Sequence, residues 1–135
     1  MRAVLADDSG IFREGLRLLL EAAGVDVVAA VGTVPALTEA VARTRPDVAV
    51  VDVRLPPTFT DEGLRAVVTL RRDHAHLGLL VLSTSVDAVS AAQLLDAVPT
   101  GVGYLLKDRI DDISSLTNSL NRVARGGVAL ESQVV

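Results

Sequence analysis

Five short apolar runs punctuate the chain, and behind each lies a stretch whose apolar residues recur at helical spacing. The first run, residues 3–6, ends in Asp7-Asp8. Ile11, Phe12, Leu16, Leu19, Leu20 and Ala23 then fall three and four apart, with Ser9 placed to cap the helix and Gly24 to end it. A second run, residues 25–31, stops at Gly32. Thr33 opens a helix carrying Leu37, Ala40 and Val41, which Pro46 terminates. The third run spans residues 47–52. Its Val48-Ala49-Val50-Val51 segment is β-branched at three of four positions and predicts a fully buried central strand with Asp52 at its end.

Residues 53–63 are too rich in Pro and Thr to be regular, so they predict a loop before a helix over 64–72. A fourth strand over 79–82 leads into Ser83-Thr84-Ser85, and a helix follows over 86–98, stopped by Pro99 and Gly101. That helix carries more apolar residues than one buried stripe needs, many of them alanine. The fifth strand, residues 103–106, exits into Lys107-Asp108. The last helix begins near Asp111 and ends at Gly126-Gly127, and residues 128–135 show no clear pattern. Five strand-helix repeats predict an α/β domain with a five-stranded parallel sheet, order 2-1-3-4-5, doubly wound with five helices.

Composition narrows this. At 135 residues the chain has the length of one domain, large enough to bury a core unaided. Half of it is hydrophobic and only 2% aromatic, so the core must be Val, Leu and Ala. The absence of cysteine excludes disulfides and thiolate metal sites. A net charge of −4 argues against a nucleic-acid surface on this chain. The apolar start is too short for a signal sequence or a membrane span, which points to a cytoplasmic protein without membrane attachment.

In an open parallel sheet, ligands bind beyond the carboxyl ends of the strands where the strand order reverses, here between strands one and three. The residues arriving there are Asp7, Asp8 and Asp52, flanked by Ser83 and Lys107. Three carboxylates in one pocket repel unless a cation joins them. Hard oxygen donors with room for water suit Mg²⁺. Lys107 supplies a mobile charge suited to a phosphoryl group, and the Ser83 hydroxyl can donate to one of its oxygens. Taken singly, each residue is an ordinary turn, cap or surface residue. Their conjunction, each after a different strand of one sheet, is the informative feature.

Four segments carry a resemblance to a known family: Leu5-Ala6-Asp7-Asp8-Ser9, Val50-Val51-Asp52-Val53-Arg54-Leu55-Pro56, Val81-Leu82-Ser83-Thr84 and Gly103-Tyr104-Leu105-Leu106-Lys107-Asp108. Together they resemble the receiver domain of two-component response regulators, with its flavodoxin-like fold. The Lys-Asp ending and Arg122-Val123-Ala124-Arg125-Gly126-Gly127 are similar to receivers that precede a LuxR-type helix-turn-helix domain. The Pro-Pro-Thr-Phe-Thr-Asp-Glu-Gly loop resembles an actinobacterial subgroup of these.

The resemblance implies that Asp52 accepts a phosphoryl group from a sensor histidine kinase or a small phosphodonor. Asp8, Asp52 and the Arg54 backbone carbonyl would ligate Mg²⁺, with Asp7 acting largely through water and Lys107 pairing with the phosphoryl oxygens. Ser83 stands where the family has its switch hydroxyl, more usually Thr, and Tyr104 where it has its switch aromatic. Tyr104 would rotate inward on phosphorylation and reshape the surface of helix four, strand five and helix five. Residues 1–127 would form the receiver, and 128–135 the start of a linker toward an output domain absent from this chain. DNA would be bound only through that domain, with the receiver forming a homodimer on phosphorylation. On this reading the chain is not an enzyme beyond assisting its own phosphorylation and dephosphorylation.

Other classes fit less well. A phosphohydrolase on a similar sheet would want an acid two residues after the nucleophile, where Arg54 stands. A flavodoxin-like cofactor carrier would want a hydroxyl- or glycine-rich loop in place of Asp7-Asp8. A phosphorylation-independent interaction module with a relic acidic pocket is the alternative that stays open.

Overall fold

The computed structural model describes residues 1–85, 88–109 and 112–131. Strands β1 (Arg2–Ala6), β2 (Asp26–Val31), β3 (Val48–Asp52), β4 (Gly78–Ser83) and β5 (Val102–Leu106) alternate with helices. The helices are α1 (Gly10–Ala22), α2 (Val34–Thr44), α3 (Glu62–Asp73), α4 (Ala88–Ala97) and α5 (Ile113–Ala124). A single 3₁₀ turn, Lys107–Arg109, follows β5. The strands are all parallel and ordered β2-β1-β3-β4-β5, as the alternation predicts.

The expected count of five strands needs one correction. A sixth, β6 (Val128–Leu130), pairs in parallel with β5, placing Val128 beside Val102 and Leu130 beside Tyr104. The chain reverses into it at Gly126, whose φ of 90° lies in the left-handed region that glycine occupies without strain. Three residues are too few to display a period, and an edge strand buries one face only partly, so the tail carries no pattern to read.

Alternate residues of each central strand serve opposite faces of the sheet. Ala49 and Val51 of β3, with Leu79 and Val81 of β4, pack toward α2, α3 and α4. Val48 and Val50, with Leu80 and Leu82, pack toward α1 and α5. Two buried faces explain why these strands read as unbroken apolar runs. The expected caps form: the side chains of Ser9 and Thr33 accept from the amides of Phe12 and Ala36, both at 3.3 Å. Asp112 caps α5, while the expected starts at Val86 and Asp111 lie outside the described residues. In α4 only Ala91 and Leu94 are buried, and the surplus apolar residues lie outward, Val89 being 66% exposed. No helix among the described residues is long and apolar enough to cross a membrane.

Candidate functional site

The carboxyl ends of β1 and β3 lie side by side, since Ala6 pairs with Val51. Their next residues, Asp7 and Asp52, are therefore neighbours at the reversal of strand order. Asp7, Asp8 and Asp52 each bring a carboxylate oxygen to within 4.8 Å of the other two. Asp7 and Asp52 are buried, and Asp8 faces solvent. At such a separation two unit charges repel by roughly 3 kcal/mol for an effective dielectric near 20. Something must offset that repulsion.

Lys107 does so in part. As the first residue after β5, it extends its ammonium to Asp7 Oδ2 at 2.6 Å and to Asp52 Oδ2 at 3.4 Å. Burial alone would lower the Lys107 pKa, but the hydrogen bond to Asp7 and the charges of both carboxylates outweigh it and push the pKa up. The ammonium is thus held protonated. Asp52 is pushed up as well, first by burial and then by the charge of Asp7, against the opposing pull of Lys107 and the Arg54 amide. Three carboxylates facing one ammonium leave unbalanced negative charge. This donor set, all hard oxygens at close quarters, fits a divalent cation such as Mg²⁺.

Backbone contacts fix the geometry. Asp7 Oδ1 accepts from the Ser9 amide at 2.9 Å, and the Asp7 carbonyl accepts from Arg13 Nη1 at 2.6 Å. The Arg54 amide points at Asp52 Oδ1 from 3.4 Å, while its side chain is exposed. Ser83 is buried and one residue beyond the β3–β4 pair Asp52 and Leu82. Its hydroxyl donates to the Ser85 carbonyl at 2.6 Å and accepts from the Ser85 amide at 3.3 Å. Tyr104 is 2% exposed and belongs to the core cluster on the α2, α3 and α4 side of the sheet. The expected inward rotation of this ring therefore starts from a ring that is already inside.

Several contributors were not singled out from the sequence. Gly63 donates its amide to the Val53 carbonyl at 2.8 Å, and a Cβ there would fall 1.9 Å from the Asp52 carbonyl oxygen. Glu62 accepts from the Thr58 hydroxyl, from the Thr58 amide at 2.8 Å and from the Thr60 amide at 3.0 Å. The Thr58 hydroxyl bond, reinforced by those amides, brings the Glu62 pKa down to about 2 despite burial. The loop following Asp52 is thereby folded around a carboxylate that is ionised at neutral pH. Phe12 lies under Lys107, with the ring centroid 4.2 Å from Nζ. Glu131, just past β6, donates its amide to the Tyr104 carbonyl at 2.9 Å and accepts from the Leu106 amide at 3.3 Å.

Comparison with known proteins identifies the family and the fold. The sequence matches the response regulator receiver domain over residues 3–119. It is 37% identical over 110 residues to the DNA-binding transcriptional activator DevR/DosR of Mycobacterium tuberculosis, covering 80% of this chain and 48% of that protein. It is 30% identical over 123 residues to a protein-glutamate methylesterase/protein-glutamine glutaminase of Alkalilimnicola ehrlichii, covering 90% of this chain and 30% of that protein. The chain spans between 30% and 58% of the length of the curated relatives it matches. Among solved structures, a LuxR-family two-component response regulator from Aurantimonas superposes with a TM-score of 0.84 at 25% identity, covering 98% of this chain and 91% of that one. The isolated receiver domain of RcsB from Salmonella enterica shares the fold, with a TM-score of 0.81 at 23% identity and coverage of 99% and 95%.

Proposed function

The chain belongs to the response regulator receiver domain family, and from that premise we propose that it is a phosphoacceptor switch in which Asp52 receives a phosphoryl group from a sensor histidine kinase. The observation that carries this reading is the gathering of Asp7, Asp8 and Asp52 at the end of the sheet with the Lys107 ammonium among them. In the transfer, an Asp52 carboxylate oxygen bonds to phosphorus as the phosphorus–nitrogen bond of a phosphohistidine breaks, and the imidazole leaves. Such a reaction needs positioning and charge compensation more than further covalent chemistry. Mg²⁺ would be held by Asp8, Asp52 and the Arg54 carbonyl, with Asp7 acting largely through water, and would supply positive charge against the transferring group. The two Asp7 oxygens are already engaged, one by the Ser9 amide and one by Lys107, which suits an indirect role for Asp7.

The switch then turns on Ser83. Its hydroxyl now tethers the Ser85 carbonyl, two residues into the segment that leads to α4. A phosphoryl oxygen on Asp52 competes for that hydroxyl, and its turn toward the acyl phosphate releases the segment. With Tyr104 already buried, the change originates in the loop after β4 rather than in the ring. It reaches the α4, β5 and α5 surface, along whose β5 edge β6 now lies. The 37% identity to the DNA-binding transcriptional activator DevR/DosR supports a transcriptional output through a DNA-binding domain; a homodimer formed on phosphorylation and a cytoplasmic setting belong to the same proposal. The methylesterase relative lends no catalytic activity to this chain, because the match covers only 30% of that protein.

Beryllofluoride titration with and without Mg²⁺, followed by amide chemical shifts, tests the assignment. One equivalent should bind, only with Mg²⁺, and Asp52→Asn should abolish binding. Undiminished binding in that variant would remove Asp52 from the role.

A further inference from the structure

A lysine reaching from the end of β5 to a pocket formed by β1 and β3 carries a long stem with large rotamer freedom. Its polar partners here are unequal: Asp7 at 2.6 Å and Asp52 at 3.4 Å. Both belong to the cation-competent triad. A divalent ion drawn to those carboxylates weakens their hold on the ammonium at the stage when the phosphoryl group needs it. A support insensitive to that competition is therefore useful, and an aromatic face provides one, since it attracts the ammonium but is a poor ligand for a hard metal.

Phe12 occupies that place. Only three aromatic residues exist in the chain, and its ring centroid lies 4.2 Å from Lys107 Nζ. The seat is built from one short segment. Asp7 Oδ1 accepts from the Ser9 amide at 2.9 Å, and the Ser9 hydroxyl accepts from the Phe12 amide at 3.3 Å. The same cap that starts α1 thus sets the carboxylate and the ring at a fixed spacing about one ammonium. Ile11, the preceding residue, is 90% exposed, so the helix turns its aromatic rather than its aliphatic residue toward the pocket.

We propose that Phe12 is a positioning residue that parks the Lys107 ammonium at the mouth of the carboxylate pocket and keeps it within reach of a phosphoryl group on Asp52. The proposal rests on the phosphoacceptor reading above. Phe12→Leu keeps an apolar side chain and removes the ring's negative face. Site-specific incorporation of a polyfluorinated phenylalanine keeps the shape and weakens that face. Phe12→Tyr preserves it.

Beryllofluoride affinity in saturating Mg²⁺ is the readout, with Mg²⁺ affinity alone measured beside it and melting temperatures confirming the fold. The leucine and fluorinated variants should bind beryllofluoride about three- to tenfold more weakly, within the range a cation–π contact supports. Mg²⁺ affinity should stay within about twofold and Phe12→Tyr should match the wild type. In a Lys107→Ala background Phe12→Leu should have no further effect, because the two changes remove one interaction. A fluorinated protein that binds like the wild type overturns the proposal, as does a full-sized leucine effect without Lys107. A wild type that fails to bind beryllofluoride with Mg²⁺ sinks the phosphoacceptor reading itself, a result distinct from both.

Discussion

Replacing Gly63 and Gly15 by alanine is the same chemical change in two helices, and it should move stability in opposite directions. Alanine is favoured over glycine in a helix interior by about 1 kcal/mol. In α1 a Cβ on Gly15 meets nothing within 4 Å. Gly15→Ala should therefore stabilise the domain by roughly 0.5–1 kcal/mol. Gly63, the second residue of α3, is different. Its Cβ would lie 1.9 Å from the Asp52 carbonyl oxygen and 2.8 Å from Val53 Cα, against a floor of 3.0 Å for real contacts. The obstructing atoms are backbone and cannot swing aside, so β3 and α3 must part by about 1 Å. Overpacking of this kind costs about 1–3 kcal/mol. The 2.8 Å bond from the Gly63 amide to the Val53 carbonyl is strained with it, at about 1 kcal/mol more.

Set against the helical preference, the net for Gly63→Ala is a loss of about 1–3 kcal/mol, a melting temperature lower by roughly 3–15 °C. Gly15→Ala should raise it by about 2–5 °C. Urea and thermal unfolding followed by circular dichroism read both. Mg²⁺ titration of the folded proteins adds the functional part. Because the obstructed carbonyl belongs to Asp52 itself, Gly63→Ala should weaken Mg²⁺ binding and Gly15→Ala should leave it unchanged. A Gly63→Ala protein with wild-type stability and Mg²⁺ affinity would refute the claim that this glycine is dictated by space beside Asp52.

Asp52→Asn should stabilise the metal-free domain at neutral pH. The folded pKa of Asp52 is raised, so the wild type gives up stability as pH rises from the unfolded value through the folded one, and the two proteins should converge in acid. Saturating Mg²⁺ should reverse the ranking, adding about 2.7 kcal/mol to the wild type at a hundredfold excess over Kd. Arg71→Met removes donors to the carbonyls of Thr100, Leu77 and Gly101 at the far end of the sheet. Chemical denaturation should show a loss of about 2–4 kcal/mol with Mg²⁺ affinity intact. Glu131→Ala leaves the Leu106 amide without its carboxylate acceptor and should cost about 1–2 kcal/mol. Hydrogen exchange should show the β6 amides losing protection, and Glu131→Gln should restore it.

What was legible in the sequence was what repeats or aligns with a strand end. Unbroken runs such as Val48 to Val51 announce strands buried on both faces, and the turn that follows each run delivers Asp7, Asp52 and Lys107 to one end of the sheet. Contributions that depend on distant neighbours left no such trace. Gly63 looks like a loop glycine until the Asp52 carbonyl is found against it. Thr58, Thr60 and Glu62 alternate along the chain, and that spacing was the available hint that one carboxylate gathers the loop amides. Phe12 reads as a core residue at helical spacing, because nothing local says that a lysine from β5 will cover it. Tyr104 reads from the sequence only as the residue in the switch-aromatic position of β5; its burial in the core beside residues of other elements is a tertiary outcome that no local pattern encodes.

Everything proposed for this site depends on Asp52 accepting a phosphoryl group in a Mg²⁺-dependent reaction. Intact mass spectrometry of the wild type and Asp52→Asn, after incubation with acetyl phosphate in Mg²⁺ or in excess chelator, tests it most directly. The wild type in Mg²⁺ should carry a single labile phosphoryl adduct, with none under the other conditions. An adduct of equal yield on Asp52→Asn, or none on the wild type in Mg²⁺, would contradict it.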